Sequence, residues 1–71
     1  MSKSKEIEMQ DQILVFLKNV TRTYDLLLIL DRHMPSASDL WLDLKQERKS
    51  FQVVKNEAIE RVEVYKKYLS R

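Results

Sequence analysis

The sequence predicts an all-α chain: an antiparallel two-helix hairpin, coiled-coil-like along its seam and completed by a partner protein. Three observations predict it. Apolar residues recur at steps of three and four on both sides of a single proline, which is a helical period interrupted once. Glycine is absent and 34% of the residues are charged, a composition of long helices with few turns. The run Leu26-Leu27-Leu28-Ile29-Leu30 points apolar side chains right round its helix, because successive residues turn by about 100°. A helix without a polar face needs neighbours on two sides. A hairpin supplies one of them, so the other is expected from another molecule.

Residues 1–5 are polar and uncapped and read as a disordered tail. The helical hairpin domain follows over residues 6–71, with helices expected at 6–33 and 38–69 and a turn at 34–37. In the first helix, Met9, Ile13, Phe16, Leu17, Val20, Tyr24, Leu27, Leu28 and Met34 fall in one apolar stripe. Glu6, Glu8 and Asp11 open the helix and Arg32 and His33 close it, which is the order the helix dipole favours. Val15, Leu26, Ile29 and Leu30 lie on the opposite side, with Asn19 and Arg22 among them. Each apolar side chain of that set would gain about 1.5–3 kcal/mol from full burial. They are therefore expected to form a second contact face, either for a partner or for a second copy in a C₂ dimer.

Pro35 disfavours helix at the residue before it, so the first helix should stop near His33 or Met34. Ser36 with Asp39 three positions on resembles a capping box, and Ser38 or Asp39 are further candidate caps. So short a connection folds the helices back on one another. The second helix carries a narrow stripe, Leu40, Leu44, Phe51, Val54, Ala58, Val62, Tyr65 and Leu69, interrupted at Glu47 and Arg48. Glu57 with Arg61, and Glu63 with Lys67, have the favourable order for pairs four residues apart. Asp39 and Asp43 at the start, with Lys66, Lys67 and Arg71 at the end, complement the dipole. Leu42, Val53 and Val64 sit nearly opposite the stripe. Of the aromatics, Phe16, Tyr24, Phe51 and Tyr65 are expected in the core. Trp41 lies off the stripe and is either an anchor for a partner or a cover over one end of the hairpin.

The same residues exclude most chemistry. With 71 residues the chain is one small domain, which buries only about 60% of its unfolded surface. No cysteine is present and His33 is the only histidine, so neither a disulfide nor a zinc site is expected to staple it. Oligomerisation is the remaining route. There is no glycine for a phosphate-cradling loop and no thiol nucleophile, and a hairpin encloses no cleft, so no catalytic residue, cofactor or metal is expected. The net charge is +2, distributed as +2 on the tail, −2 on the first helix and +2 on the second. Acids interleave with Lys45, Arg48 and Lys49, no continuous basic stripe forms, and nucleic-acid binding is not expected. Acidic residues stand where a signal peptide needs its apolar core, and the Leu26–Leu30 run is far short of the roughly 20 residues of a membrane span. No membrane partner is expected, and the cytoplasm is the expected compartment.

A long first helix ending at Arg32-His33-Met34-Pro35, a polar-entry segment from Ser38 to Ser50 and an apolar-periodic run from Phe51 to Leu69 together resemble a known family. It is that of the "E" subunits of the YscE and PscE kind, co-chaperones of type III secretion needle subunits. The resemblance rests on length, layout and scattered apolar positions. It implies a hairpin that stabilises a helical-repeat (TPR-like) co-chaperone, whose groove in turn holds the needle subunit as a soluble monomer. Carried onto this chain, it implies a partner face at Val15, Leu26, Ile29 and Leu30, with Trp41 as an addition. Flanking charges such as Arg22 and Asp25 are expected to set the specificity of that face. The rival expectation is a homodimeric four-helix bundle that regulates transcription or another protein.

Overall fold

The computed structural model describes residues 3–70. Met1 and Ser2 of the expected tail, and Arg71, expected to complement a helix dipole, lie outside the described residues. Lys3, Ser4 and Lys5, also read as tail, belong to the first helix. The described residues are all-helical, but each arm of the expected hairpin is divided, giving four α-helices among them where the periodicity predicted two. They are α1 (Lys3–Asn19), α2 (Thr23–His33), α3 (Ser38–Lys45) and α4 (Phe51–Leu69). A continuous helix over 6–33 would span about 42 Å at 1.5 Å per residue. The whole molecule measures 37 × 19 × 17 Å.

α1 runs antiparallel to α4. Asp11 pairs with Lys66 near one end, and Lys55 reaches the α1 C-terminus at the other. α2 packs on α3 across the turn. That turn is a short 3₁₀ segment, Pro35–Ala37, with Pro35 at its start where a missing N–H leaves no orphan. The expected capping box does not form: Ala37 precedes α3 and no side chain caps it. Asp39 turns instead to Arg61 of α4, accepting two hydrogen bonds of 2.9 and 2.6 Å in a bidentate pair that ties α3 to α4. The Arg61 hydrogen bond holds the Asp39 carboxyl well below its ordinary range, at about 2. Glu57, expected to pair with Arg61 within the helix, accepts from Lys49 at 3.2 Å. That bond raises the Lys49 pKa. Lys49 also lies 3.6 Å from Asp43, so the linker before α4 is pinned on both sides.

The first arm breaks at Val20–Arg22. Asn19 turns its side-chain amide back onto the Val15 carbonyl at 2.7 Å, and α2 begins from an extended Arg22 with no side-chain cap. Lys55 of α4 donates to the carbonyl oxygens of Lys18 and Val20, at 3.3 and 3.0 Å, and so replaces the hydrogen bonds that the helix loses there. The phase of the helix is the reason for the break. In a continuous helix Leu26 and Leu30 would point away from Ile13 and Leu17. After the break, α2 is turned by roughly half a revolution, and Leu26 and Leu30 enter the core at 0% and 1% exposure. Burying two leucines gains about 3–6 kcal/mol, whereas each backbone hydrogen bond given up costs only about 1 kcal/mol net.

The second arm breaks at 46–50, where the apolar stripe is interrupted. The Arg48 amide bonds to the Asp43 carbonyl at 2.8 Å and the Glu47 amide to that of Leu44 at 3.2 Å, the two bonds of a Schellman cap. Such a cap needs a left-handed residue, and with no glycine in the chain Glu47 fills the position at φ 58°. Ser50 then caps α4, its Oγ accepting from the Val53 amide at 3.3 Å.

The core lies where all four helices meet. α1 gives it Ile13, Leu14 and Leu17, with Val20 just beyond, and α4 gives it Val54, Ala58 and Val62. Leu40 and Leu44 of α3 join the two α2 leucines, and Met34 and Ala37 at the turn complete it. The α3 and α4 part matches the expected stripe. The expected aromatic core does not form: Phe51 is half-buried, while Phe16, Tyr24 and Tyr65 are exposed. Tyr65 stacks on Tyr68, ring centroids 6.3 Å apart, along the outer side of α4.

Candidate functional site

The break between α1 and α2 opens an apolar groove on the outside of the molecule. α1 contributes Val15, Phe16 and Asn19, and α2 contributes Asp25, Leu28, Ile29, Arg32 and His33, around a volume of about 450 Å³. Phe16 and His33 close its two walls, ring centroids 5.5 Å apart and tilted by 36°. Val15 and Phe16 are 56% and 45% exposed, two large apolar side chains open side by side on one helix, as Val64 and Tyr65 are on α4. Leu28 and Ile29 form the half-buried floor.

This placement redistributes the five residues expected to face a partner. Val15 and Ile29 line the groove. Leu26 and Leu30 do not, because the turn imposed by the break at Val20–Arg22 puts them in the chain's own core, out of reach of any other molecule. Trp41 lies half-buried on α3, packed against the core with the Lys45 ammonium 5.8 Å from its ring, and takes no part in the groove. The apolar run that called for a second neighbour thus finds most of its cover within the chain. What remains uncovered is smaller and shifted toward α1.

Phe16 and Leu28, which the periodicity assigned to the seam, are groove residues, and Arg32 joins Asp25 as a charge at its rim. The signal for this was at Asn19-Val20-Thr21-Arg22-Thr23, where four weak helix formers surround Arg22 between two apolar stretches. Arg22 itself is exposed and lies outside the groove.

The chemistry available in the groove is contact chemistry: apolar walls, one acid, one guanidinium, an imidazole and an amide. No group of three or more His, Asp or Glu side chains comes together among the described residues. Among those residues no helix is long and apolar enough to cross a membrane. In comparisons with known proteins the chain matched no family model, no curated protein and no solved structure.

Proposed function

We propose that this chain is a non-enzymatic protein-binding module that works in the cytoplasm as a co-chaperone of the type III secretion needle "E" subunit kind. The observation that carries the binding part is the exposed pair Val15 and Phe16 over the half-buried Leu28 and Ile29. Such a face stays soluble by docking against complementary apolar surface, and a groove between two helices suits the ridge of a third. The resemblance in length and layout supports the co-chaperone part. On that reading the occupant is a helix of a helical-repeat chaperone, which this chain stabilises while the chaperone holds the needle subunit. The mechanism is mutual burial, with Asp25 and Arg32 at the rim selecting the partner's orientation.

The test is recovery of the tagged chain from its native host at moderate salt, with nuclease present and bound proteins identified by mass. One helical-repeat protein together with a small secreted subunit is the expected result, lost on Phe16→Asp in a chain that keeps its helical content. Recovery of neither protein would overturn the co-chaperone reading. Unchanged recovery with Phe16→Asp would overturn the assignment of the face.

A further inference from the structure

The floor and rim of the groove carry a charge pattern with a property of its own. Asp25, Leu28, Ile29 and Arg32 stand at steps of three, one and three along α2, which places them on one face over two turns, and all four line the same depression. The acid is at the N-terminal end, the cation at the C-terminal end, and the apolar pair lies between them. Among the described residues neither Asp25 nor Arg32 forms an ion pair, whereas Asp11, Asp39 and Asp43 all do.

A face of this kind is complementary to itself turned through 180°. The midpoint of Asp25 and Arg32 along the helix is also the midpoint of Leu28 and Ile29. A two-fold axis through that point lays α2 antiparallel on the α2 of a second molecule. Each Asp25 then faces Arg32 of the second copy, and the two Leu28–Ile29 pairs cover one another. We propose that the α2 face is a self-association surface and that, without another partner, a second copy of this chain occupies it as an antiparallel C₂ pair. Exposed ion pairs add little affinity, so the charges fix direction and register while the apolar centre, with Val15 and Phe16 alongside, holds the copies together. The face is small beside the roughly 1,200–2,000 Å² that stable pairs bury, so the dimer exchanges with monomer as concentration changes. A hetero-partner that docks in the groove would displace the second copy. The dimer needs only the chain itself, and it stands or falls separately from the co-chaperone reading.

Charge reversal tests it, because a two-fold pair makes a specific demand on mixtures. Asp25→Arg sets the introduced guanidinium opposite Arg32 of the other copy, and Arg32→Asp sets the introduced carboxylate opposite Asp25, so each variant alone repels itself. Mixed one to one, both contacts become attractive again. Sedimentation velocity on the full chain is expected to give a concentration-dependent dimer for the natural sequence. Each single variant should self-associate at least ~10-fold more weakly, and the mixture should return to the natural value as a 1:1 heterodimer. The natural chain remaining monomeric into the millimolar range would overturn the proposal. So would single variants that dimerise as well as the natural chain, or a mixture that gains nothing.

Both charges also complement the dipole of α2, so helical content is measured alongside. If either reversal unfolds the chain, a second readout decides. The sequence has no cysteine, so Ile29→Cys introduces a single thiol beside the axis. A short bis-maleimide should link it to its symmetry mate, while Val64→Cys, exposed on α4, should not link. Equal linking at both positions would overturn the proposed face.

Discussion

Lys55, in the first half of α4, donates from its ammonium to the main-chain oxygen of Val20 at 3.0 Å, at the point where the first arm of the chain breaks. It donates to Lys18 of the same segment as well. A cation at a helix C-terminus satisfies orphan carbonyls and opposes the negative end of the dipole. The bend that sets the phase of α2 is therefore held by a residue 35 positions away in sequence.

Lys55→Met keeps the alkyl stem and removes those bonds. It is expected to destabilise the chain by about 1 kcal/mol. Hydrogen exchange should accelerate in the last turn of α1 and the first of α2 and stay unchanged in α4. A uniform acceleration over the whole chain would mean that Lys55 has no local role at the bend.

Glu47 occupies a left-handed position that favours glycine. A non-glycine residue there costs roughly 1–2 kcal/mol, partly offset because glycine loses more freedom on folding. Glu47→Gly should thus stabilise the chain by about 1 kcal/mol, a rise of roughly 4–8 °C in Tm for a domain of this size. Thermal unfolding followed by circular dichroism checks it, and a lower Tm would contradict the Schellman geometry at this turn.

Leu26 and Leu30 are buried and Val15 is exposed, so they should weigh differently on stability. Leu30→Ala should cost about 2–5 kcal/mol because it leaves a cavity among buried neighbours. Val15→Ala, at an exposed site, should stay within about 0.5 kcal/mol. Urea unfolding gives both values. A mild effect at Leu30 together with a large one at Val15 would mean that α2 turns its other face to the core.

Asp39 links stability to pH. Its folded pKa is about 2, against an ordinary value of 3.8, so between these values the unfolded chain binds more protons than the folded one. The contribution is fully present above about pH 4 and is lost as pH falls through about 2. Both side chains are largely exposed, at 44% for Arg61 and 59% for Asp39, so solvent and salt weaken the effect. Urea midpoints measured from pH 7 down to 2 should show a drop over that window which Asp39→Asn lacks, and added salt should narrow the difference. Parallel curves for the two proteins would remove Asp39 from the acid limb.

The part of the fold legible in the sequence was the stripe of the second arm, whose residues are buried on both sides of the break at 46–50. Leu40 and Leu44, then Val54, Ala58 and Val62, were expected along one stripe and are buried along it. The turn at Pro35 was legible because proline acts locally on the backbone. Half of the candidate site was not. Val15 and Ile29 were placed on the open face, but Phe16 and Leu28 were assigned to the core, and Leu26 and Leu30 to the surface.

The sequence by itself determined that the chain is all-α, that helix stops ahead of Pro35, and that 26–30 carries more apolar surface than a single seam can hide. Only the tertiary structure decided where the arms break, and with that which leucines are core and which residues face outward. A repeating pattern fixes the phase of a helix only while the helix continues. Neither break contains a glycine or proline to announce it. Both are stabilised by groups brought in from elsewhere or by the gain from burying side chains: Lys55 and the two α2 leucines at the first, and Lys49 between Asp43 and Glu57 at the second. Those gains exist only once the helices have packed.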